Sequence, residues 1–455
     1  MGPRDVSDLD DARQLVEESN ISHIKLGVAD LDGVLRGKYV SRNKFLSALD
    51  GGLGFCDVVL GWDVDDQPYD NVRYTGWHTG FPDAQIRLIP NSCRTIPFEP
   101  KTLFFLCEFV NPTDAICPRA VLRRTLDKAH SMGFAVQASF EYEFFVFAET
   151  PQSIREKGYR NLTPLTPGSF GYSVLRNSVG AELYQSLLSM CEQMDMPLEG
   201  LHTETGPGVL EAAITVDDGL AAADKAVLFK TFTKVLAQRH GLMATFMAKW
   251  SEKQAGQSGH VHMSLNDQHG RAVFHEEGKQ KGVSDVMLHF IGGQQALMPE
   301  LAAMVASTVN SYSRLVPGFW APTSATWGVD NRTCAIRAIP GSPKSQRVEY
   351  RVAAADANPY LALAAALGSG LWGIEHKIEA TEPISGNAYE EEAPAKLKLP
   401  ATLWDAAQAL KSSTAARILF GSDFVDHYAA SREWEERAFR KHVTDWELAR
   451  YFEII

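Results

Sequence analysis

The stretch AVQASFEYEFFVF, residues 135–147, decides how the chain is read. Apolar Val136, Ala138, Phe140, Tyr142 and Phe144 alternate with Gln137, Ser139, Glu141 and Glu143. That period of two is a β-strand, and Glu141 and Glu143 project from the same face. Its flanks are strongly apolar, so the strand is expected at the centre of a sheet. Two carboxylates at this spacing repel each other unless a cation lies between them. A solvent-exposed strand face would carry such a pair as well, so other segments must decide between the two.

Downstream, EGLHTETGPGVLEAAI (199–214) brackets a Gly-Pro-Gly turn with Glu204 and Glu211, with Glu199 upstream. A turn there would bring Glu211 back beside Glu204. In AGQSGHVHMSL (255–265), His260 and His262 share one strand face after a Gly- and Ser-rich approach. A cationic series follows: Arg314, Arg332, Arg337, Lys344, Arg347 and Arg351. In RVEYR (347–351), Arg347, Glu349 and Arg351 point the same way. That arrangement suits an ion-pair ladder or an anion clamp, because guanidinium forks match carboxylate and phosphate. Together, five or six carboxylates and a histidine suit Mg²⁺ or Mn²⁺ better than zinc. Hard-cation ligands combined with anion-binding arginines are the equipment of phosphoryl transfer from a metal-bound nucleotide. No G-x-x-x-x-G-K-[ST] loop and no kinase signature is present, so another fold must hold the nucleotide.

Composition agrees with a soluble enzyme. The 455 residues are 45% hydrophobic and 22% charged, with a formal net charge of -12. That balance argues against nucleic-acid or membrane-surface binding. The six cysteines form no C-x-x-C pair, which points to a reducing, cytoplasmic setting. The acidic N-terminus has no apolar core of a signal peptide. YLALAAALGSGLWGI (360–374) is too short, and too rich in Ala and Gly, to span a bilayer, and reads as a tightly packed buried helix.

Along the chain, residues 1–19 read as an N-terminal helical segment and 20–112 as a mostly β domain opening with a strand–turn–strand around DLDG. A Pro-punctuated shift near 112–118 starts the catalytic domain, 113–455. There GAELYQSLLSMCEQM and AADKAVLFKTFTKVLAQRHG read as helices, and GVLEAAITV, ATFMAKW and GHVHMSLND as strands. The class is α+β.

In order, VADLDGVLRGKYV, FEYEFFVF, HTETGPGVLEAA, GHVHMSL, NSYSRLVPG, NRTCAIR and RVEYRVAAADANPYLALAAAL resemble the glutamine synthetase superfamily over nearly the whole chain. The resemblance implies an N-terminal β-grasp domain, then a catalytic domain on a curved antiparallel sheet with helices. It implies a homo-oligomer, a dodecamer of two stacked hexameric rings with active sites between subunits. It also implies ATP as the phosphoryl donor, two or three Mg²⁺ or Mn²⁺ ions per site, and L-glutamate activated as γ-glutamyl phosphate. Position by position, Glu143, Glu204 and Glu211 match the ligands of one metal, and Glu141, His260 and Glu349 those of a second. Glu199, His262, Ser264, Lys344 and Arg347 match nucleotide positions. Gly256, Arg314, Arg332 and Arg351 match glutamate and phosphate positions, and Arg337 matches a phosphate-stabilising arginine.

Two places depart from true glutamine synthetases. The flap carries a glutamate in those enzymes, whereas VPGFWAP places Trp320 there. The N-terminal FDGSS loop is replaced by GFCDVVLGWDVDD, where Asp57 and Asp63 both lie near the matching place. Losing both anions weakens ammonium capture, and an indole suits an organic amine. APTSATWGVDNRT is also similar to γ-glutamyl-polyamine and γ-glutamyl-monoamine synthetases. The expected activity is therefore ATP-dependent ligation of glutamate to a small organic amine. An ammonia-using glutamine synthetase and an inactive structural or regulatory relative are the alternatives. Asp63, Asp65, Asp66 and Asp70 could serve a polyamine, while the Trp-lined flap favours a monoamine. Trp327 either lines the amine pocket or anchors the far end of the flap.

Overall fold

The computed structural model describes all 455 residues. Two sheets organise them. The first has six strands, among them the antiparallel hairpin His23–Ala29 and Leu35–Ser41. The turn of that hairpin follows from DLDG: the Asp30 carboxylate accepts from the backbone N–H of Asp32 and Val34, and Gly33 takes a φ of 77°. Thr102–Phe109 runs parallel to His23–Ala29 in the same sheet. This N-terminal region is less purely β than expected. Arg42–Gly51 is a helix capped by Ser41, and the first α-helix is Leu9–Glu18 rather than the whole of 1–19.

The second sheet has nine strands, with Phe134–Phe147 at its centre. Gly259–Asp267 pairs with it on one side and Val209–Ile214 on the other, both antiparallel. Beyond Gly259–Asp267 come Arg347–Tyr350 and Ile336–Ile339, and beyond Val209–Ile214 comes Leu198–Thr203. The one parallel pair of this sheet joins Trp327–Val329 to Ile336–Ile339. In ATFMAKW only the start is strand, within Met243–Thr245. After it the chain leaves the sheet, and the Lys249 main chain bonds to the Asn310 side chain instead.

Alternation gives this sheet two unlike faces. Phe140, Tyr142 and Phe144 stack on one side against Phe229 and Phe246, with ring centroids 5.1–6.2 Å apart. Phe229 belongs to the Gly219–Arg239 helix. Each such ring contributes about 1.5–3 kcal/mol of burial. The other face carries the carboxylates. Behind the apolar face, Pro359–His376 crosses Asp285–Val305 so closely that a Cβ on Gly293 would lie 2.5 Å from the Gly373 Cα. That explains why LALAAALGSGLWG is built from small residues. Asn358 caps this helix through the Tyr360 N–H, and its amide donates to the carbonyls of Asp30 and Leu31, docking the hairpin turn onto the start of the helix. No helix is long and apolar enough to cross a membrane.

Candidate active site

Strand register builds the polar face. Glu141 stands opposite His260, and Glu143 opposite Glu211. One strand further out, His262 stands opposite Glu349, which faces Arg337 in turn. The Gly-Pro-Gly turn returns the chain, so that Glu143, Glu204 and Glu211 offer oxygens within 4.8 Å of one another. Glu141, His262 and Glu349 form a second group of the same tightness. His260 also reaches that group, with Nδ1 3.1 Å from Glu141 and 3.3 Å from Glu349. Both histidines of the GHVHMSL strand therefore flank the second group. His262 had been expected on the nucleotide side alone.

The two groups differ electrostatically. Burial pushes the Glu143 carboxyl up, against hydrogen bonds of 2.6 and 2.5 Å from the Ser258 N–H and hydroxyl. Burial, with Glu141 and Glu143 beside it, pushes Glu211 up to about 7. Three carboxylates this close cannot all ionise without a cation. In the second group, burial also opposes ionisation, but the cations win. Arg351, the two histidines and Arg337 hold Glu349 well below the usual carboxylate range. Glu141 is lowered chiefly by the His260 hydrogen bond. Burial and the Arg351 charge keep His260 neutral. Ionised carboxylates and neutral imidazoles are the metal-binding forms, and the all-oxygen donor set of the first group fits Mg²⁺ or Mn²⁺.

All of these residues but His262 line a cavity of about 460 Å³ together with Arg314, Arg332, Arg337, Arg351, Gly256, Phe319 and Trp320. The Arg337 guanidinium is 2.9 Å from Glu349, and also pairs with Asp330. Arg351 donates to Glu349. Arg314 is buried, and two of its N–H groups hold the carbonyls of Val352 and Arg351. Gly256 gives its stem room: a Cβ there would lie 2.5 Å from the Arg314 Cγ. Glu199, His262, Ser264, Lys344 and Arg347 line an adjoining cavity of about 300 Å³, and Glu141 borders both spaces. Arg347 donates to His262 at 3.2 Å.

The flap carries two positive-φ residues, Gly318 at 83° and Trp320 at 60°. A tryptophan in that region costs about 1–2 kcal/mol and marks a constrained position. Trp320 is 58% exposed. Phe319 beside it lies 4.5 Å under the Lys249 ammonium. Trp327 is off this cavity: it is buried, and its indole N–H donates to the Thr381 carbonyl at 2.6 Å. Of the N-terminal aspartates, Asp63 accepts from two backbone N–H groups and the Trp434 indole. Asp57 is buried, with an Oδ1 that has no partner.

Sequence reasoning missed His202, Tyr172, Ser258 and Lys249. His202 sits 3.0 Å from Glu211 and stacks on Tyr172. Burial disfavours its charge, but the Glu211 hydrogen bond and the Thr203 carbonyl outweigh that and raise it to about 9. Its alternation with Glu204 across HTE was a usable signal. GSFGYS offered none for Tyr172.

Comparison with known proteins agrees with this geometry. Residues 115–451 match the family model for the glutamine synthetase catalytic domain. The chain is 43% identical over 446 residues to type-1 glutamine synthetase 2 of Dictyostelium discoideum, covering 97% of this chain and 85% of that one. It is 39% identical over 450 residues to glutamate–isopropylamine ligase of Pseudomonas sp, covering 97% of each. A solved GmaS–ADP complex superposes with a TM-score of 0.84 at 26% identity, over 98% of this chain and 100% of that one.

Proposed function

The chain belongs to the glutamine synthetase family, and from that premise we propose that it ligates the γ-carboxylate of L-glutamate to a small organic amine, using ATP. The observation that carries this reading is Trp320 on the flap. Every carboxylate lining the main cavity belongs to one of the two clusters, which leaves none spare in that lining to hold an ammonium ion. Aromatic Trp320, Phe319 and Tyr172 line it instead.

In this reading Arg332 and Arg351 bind glutamate, with Arg314 fixing the Arg351 backbone from below. Lys344, Arg347, Ser264 and Glu199 hold the nucleotide in the adjoining cavity. A γ-carboxylate oxygen attacks the terminal phosphorus of ATP and ADP leaves, with Arg337 placed to stabilise the charge on the transferring group. Divalent ions held by the two carboxylate clusters neutralise phosphate charge when bound. The neutral amine nitrogen then attacks the acyl carbon, the bond from that carbon to the phosphate oxygen breaks, and the proton shed by the nitrogen leaves with the phosphate. The similarity to isopropylamine ligase supports a monoamine. So does the state of the acidic loop, where Asp66 pairs with Arg36 and Asp70 with Arg437, leaving little to hold the second ammonium of a polyamine.

A second reading, ammonia-dependent glutamine synthesis, is favoured by the 43% identity to a glutamine synthetase. One experiment separates them: phosphate release and product mass over a panel of amines and ammonia, with ATP, glutamate and Mg²⁺. Clear preference for an alkyl or hydroxyalkyl amine is expected, and preference for ammonia over every amine would refute the reading. The ring-shaped homo-oligomer belongs to the same proposal and is checked by light scattering.

A further inference from the structure

His202 lies on the Leu198–Thr203 strand directly opposite Glu211. Its Nε2 is 3.0 Å from the Glu211 carboxylate, and its Nδ1 is 3.1 Å from the Thr203 carbonyl. Both ring nitrogens are thus occupied, and the imidazole plane is fixed. One face of that plane stacks on Tyr172, with centroids 4.3 Å apart and planes 22° from parallel. Tyr172 has no other aromatic neighbour and is 68% exposed. Its loop is stapled to the same strand end. The Tyr172 N–H donates to the Thr203 carbonyl at 2.7 Å, and the Ser173 N–H to the Thr203 hydroxyl, which in turn donates to the Phe170 carbonyl. His202 and Tyr172 both line the main cavity.

One ring therefore touches a candidate metal ligand through its edge and a wall of the substrate cavity through its face. We infer that His202 is a positioning residue that couples the Glu143–Glu204–Glu211 cluster to the Tyr172 wall, so that metal seating sets the width of the amine pocket. The inference rests on the ligase reading above. A hydrogen-bond partner behind a metal ligand fixes its orientation, and losing one weakens metal affinity about 10- to 100-fold. The stack is a smaller effect, worth roughly threefold to tenfold.

The two contacts can be removed separately. His202→Phe keeps an aromatic disc for Tyr172 and loses the bond to Glu211. His202→Gln keeps an N–H for Glu211 and loses the disc. Mn²⁺ affinity is read by calorimetry without any substrate, and the amine KM by steady-state assay. His202→Phe is expected to weaken Mn²⁺ binding at least about tenfold, with amine KM changing less. His202→Gln is expected to raise amine KM about threefold to tenfold, with Mn²⁺ binding changing less. Tyr172→Leu, which never touches Glu211, should weaken Mn²⁺ binding about threefold, while Tyr172→Phe should not. Wild-type Mn²⁺ affinity in His202→Phe, or wild-type Mn²⁺ affinity in Tyr172→Leu, overturns the coupling. If the His202 variants do not fold, the Tyr172 pair decides alone. If the wild-type chain uses only ammonia, the ligase reading fails, and the KM arm is read with ammonia.

Discussion

The two carboxylate clusters hang from one strand, two residues apart, yet they are opposite electrostatic objects. Glu349 is clasped by Arg337 and Arg351, and Glu141 by His260. Glu143, Glu204 and Glu211 have no lysine or arginine within ion-pair distance; their nearest cationic group is His202. Burial raises Glu143 and Glu211, while the His260 hydrogen bond lowers Glu141 and neighbouring cations, Arg351 first, lower Glu349. One cluster already has counter-charges and hydrogen bonds from its own side chains. The other is a charge deficit that a divalent cation resolves. Acidic clusters of similar look can thus be told apart by asking which carboxylates already own a counter-ion.

Breaking the network around Glu349 should have the largest effect. Glu349→Ala leaves the buried Arg351 guanidinium without its carboxylate and leaves Arg337 only Asp330, at a cost of about 3–5 kcal/mol, seen as a large drop in Tm with or without Mn²⁺. Glu211→Gln should do the reverse to the metal-free chain. It relieves repulsion, so Tm without metal holds or rises, while Mn²⁺ affinity and turnover fall about a hundredfold or more. A lower metal-free Tm in Glu211→Gln would contradict the charge-deficit description.

Trp320→Glu tests the amine side of that cavity. It should shift the ratio of ammonia to organic amine use about threefold to tenfold toward ammonia. An unchanged ratio would place specificity elsewhere. The smallest effect is in pH. Glu211 is raised to about 7 from an ordinary value of 4.5. Its contribution to metal-free stability is therefore present below about pH 4.5 and lost as pH rises through about 7. Because Mn²⁺ competes with that proton, the Tm gain from Mn²⁺ should be greater at about pH 7.5 than at about pH 5.5. A gain independent of pH over that window would mean Glu211 is already ionised in the metal-free protein.

Much of this was legible in the sequence because it is local. The period-two pattern of residues 135–147 fixed the central strand and its carboxylate face, and DLDG fixed a hairpin. GHVHMSLND is a strand over its full length. The Arg42–Gly51 helix was missed because its apolar pattern is weak and its stability comes from packing, with Phe45 buried against Phe105. ATFMAKW reads as strand by composition, but the Lys249 main chain is captured by a side chain far away in sequence.

The sequence by itself determined which chemistry could be assembled: which carboxylates share a face, which cations follow them, and that a tryptophan stands on the flap. Only the tertiary structure decided which cation neutralises which anion. Spacing puts Arg351 beside Glu349, but cross-strand register adds Arg337 and sets Glu211 beside a histidine. It also moved Trp327 out of the cavity, and set His202 between a carboxylate and a tyrosine. The cross-strand pairings join residues on different strands, and local pattern carries no information about which strand will lie alongside or in which register.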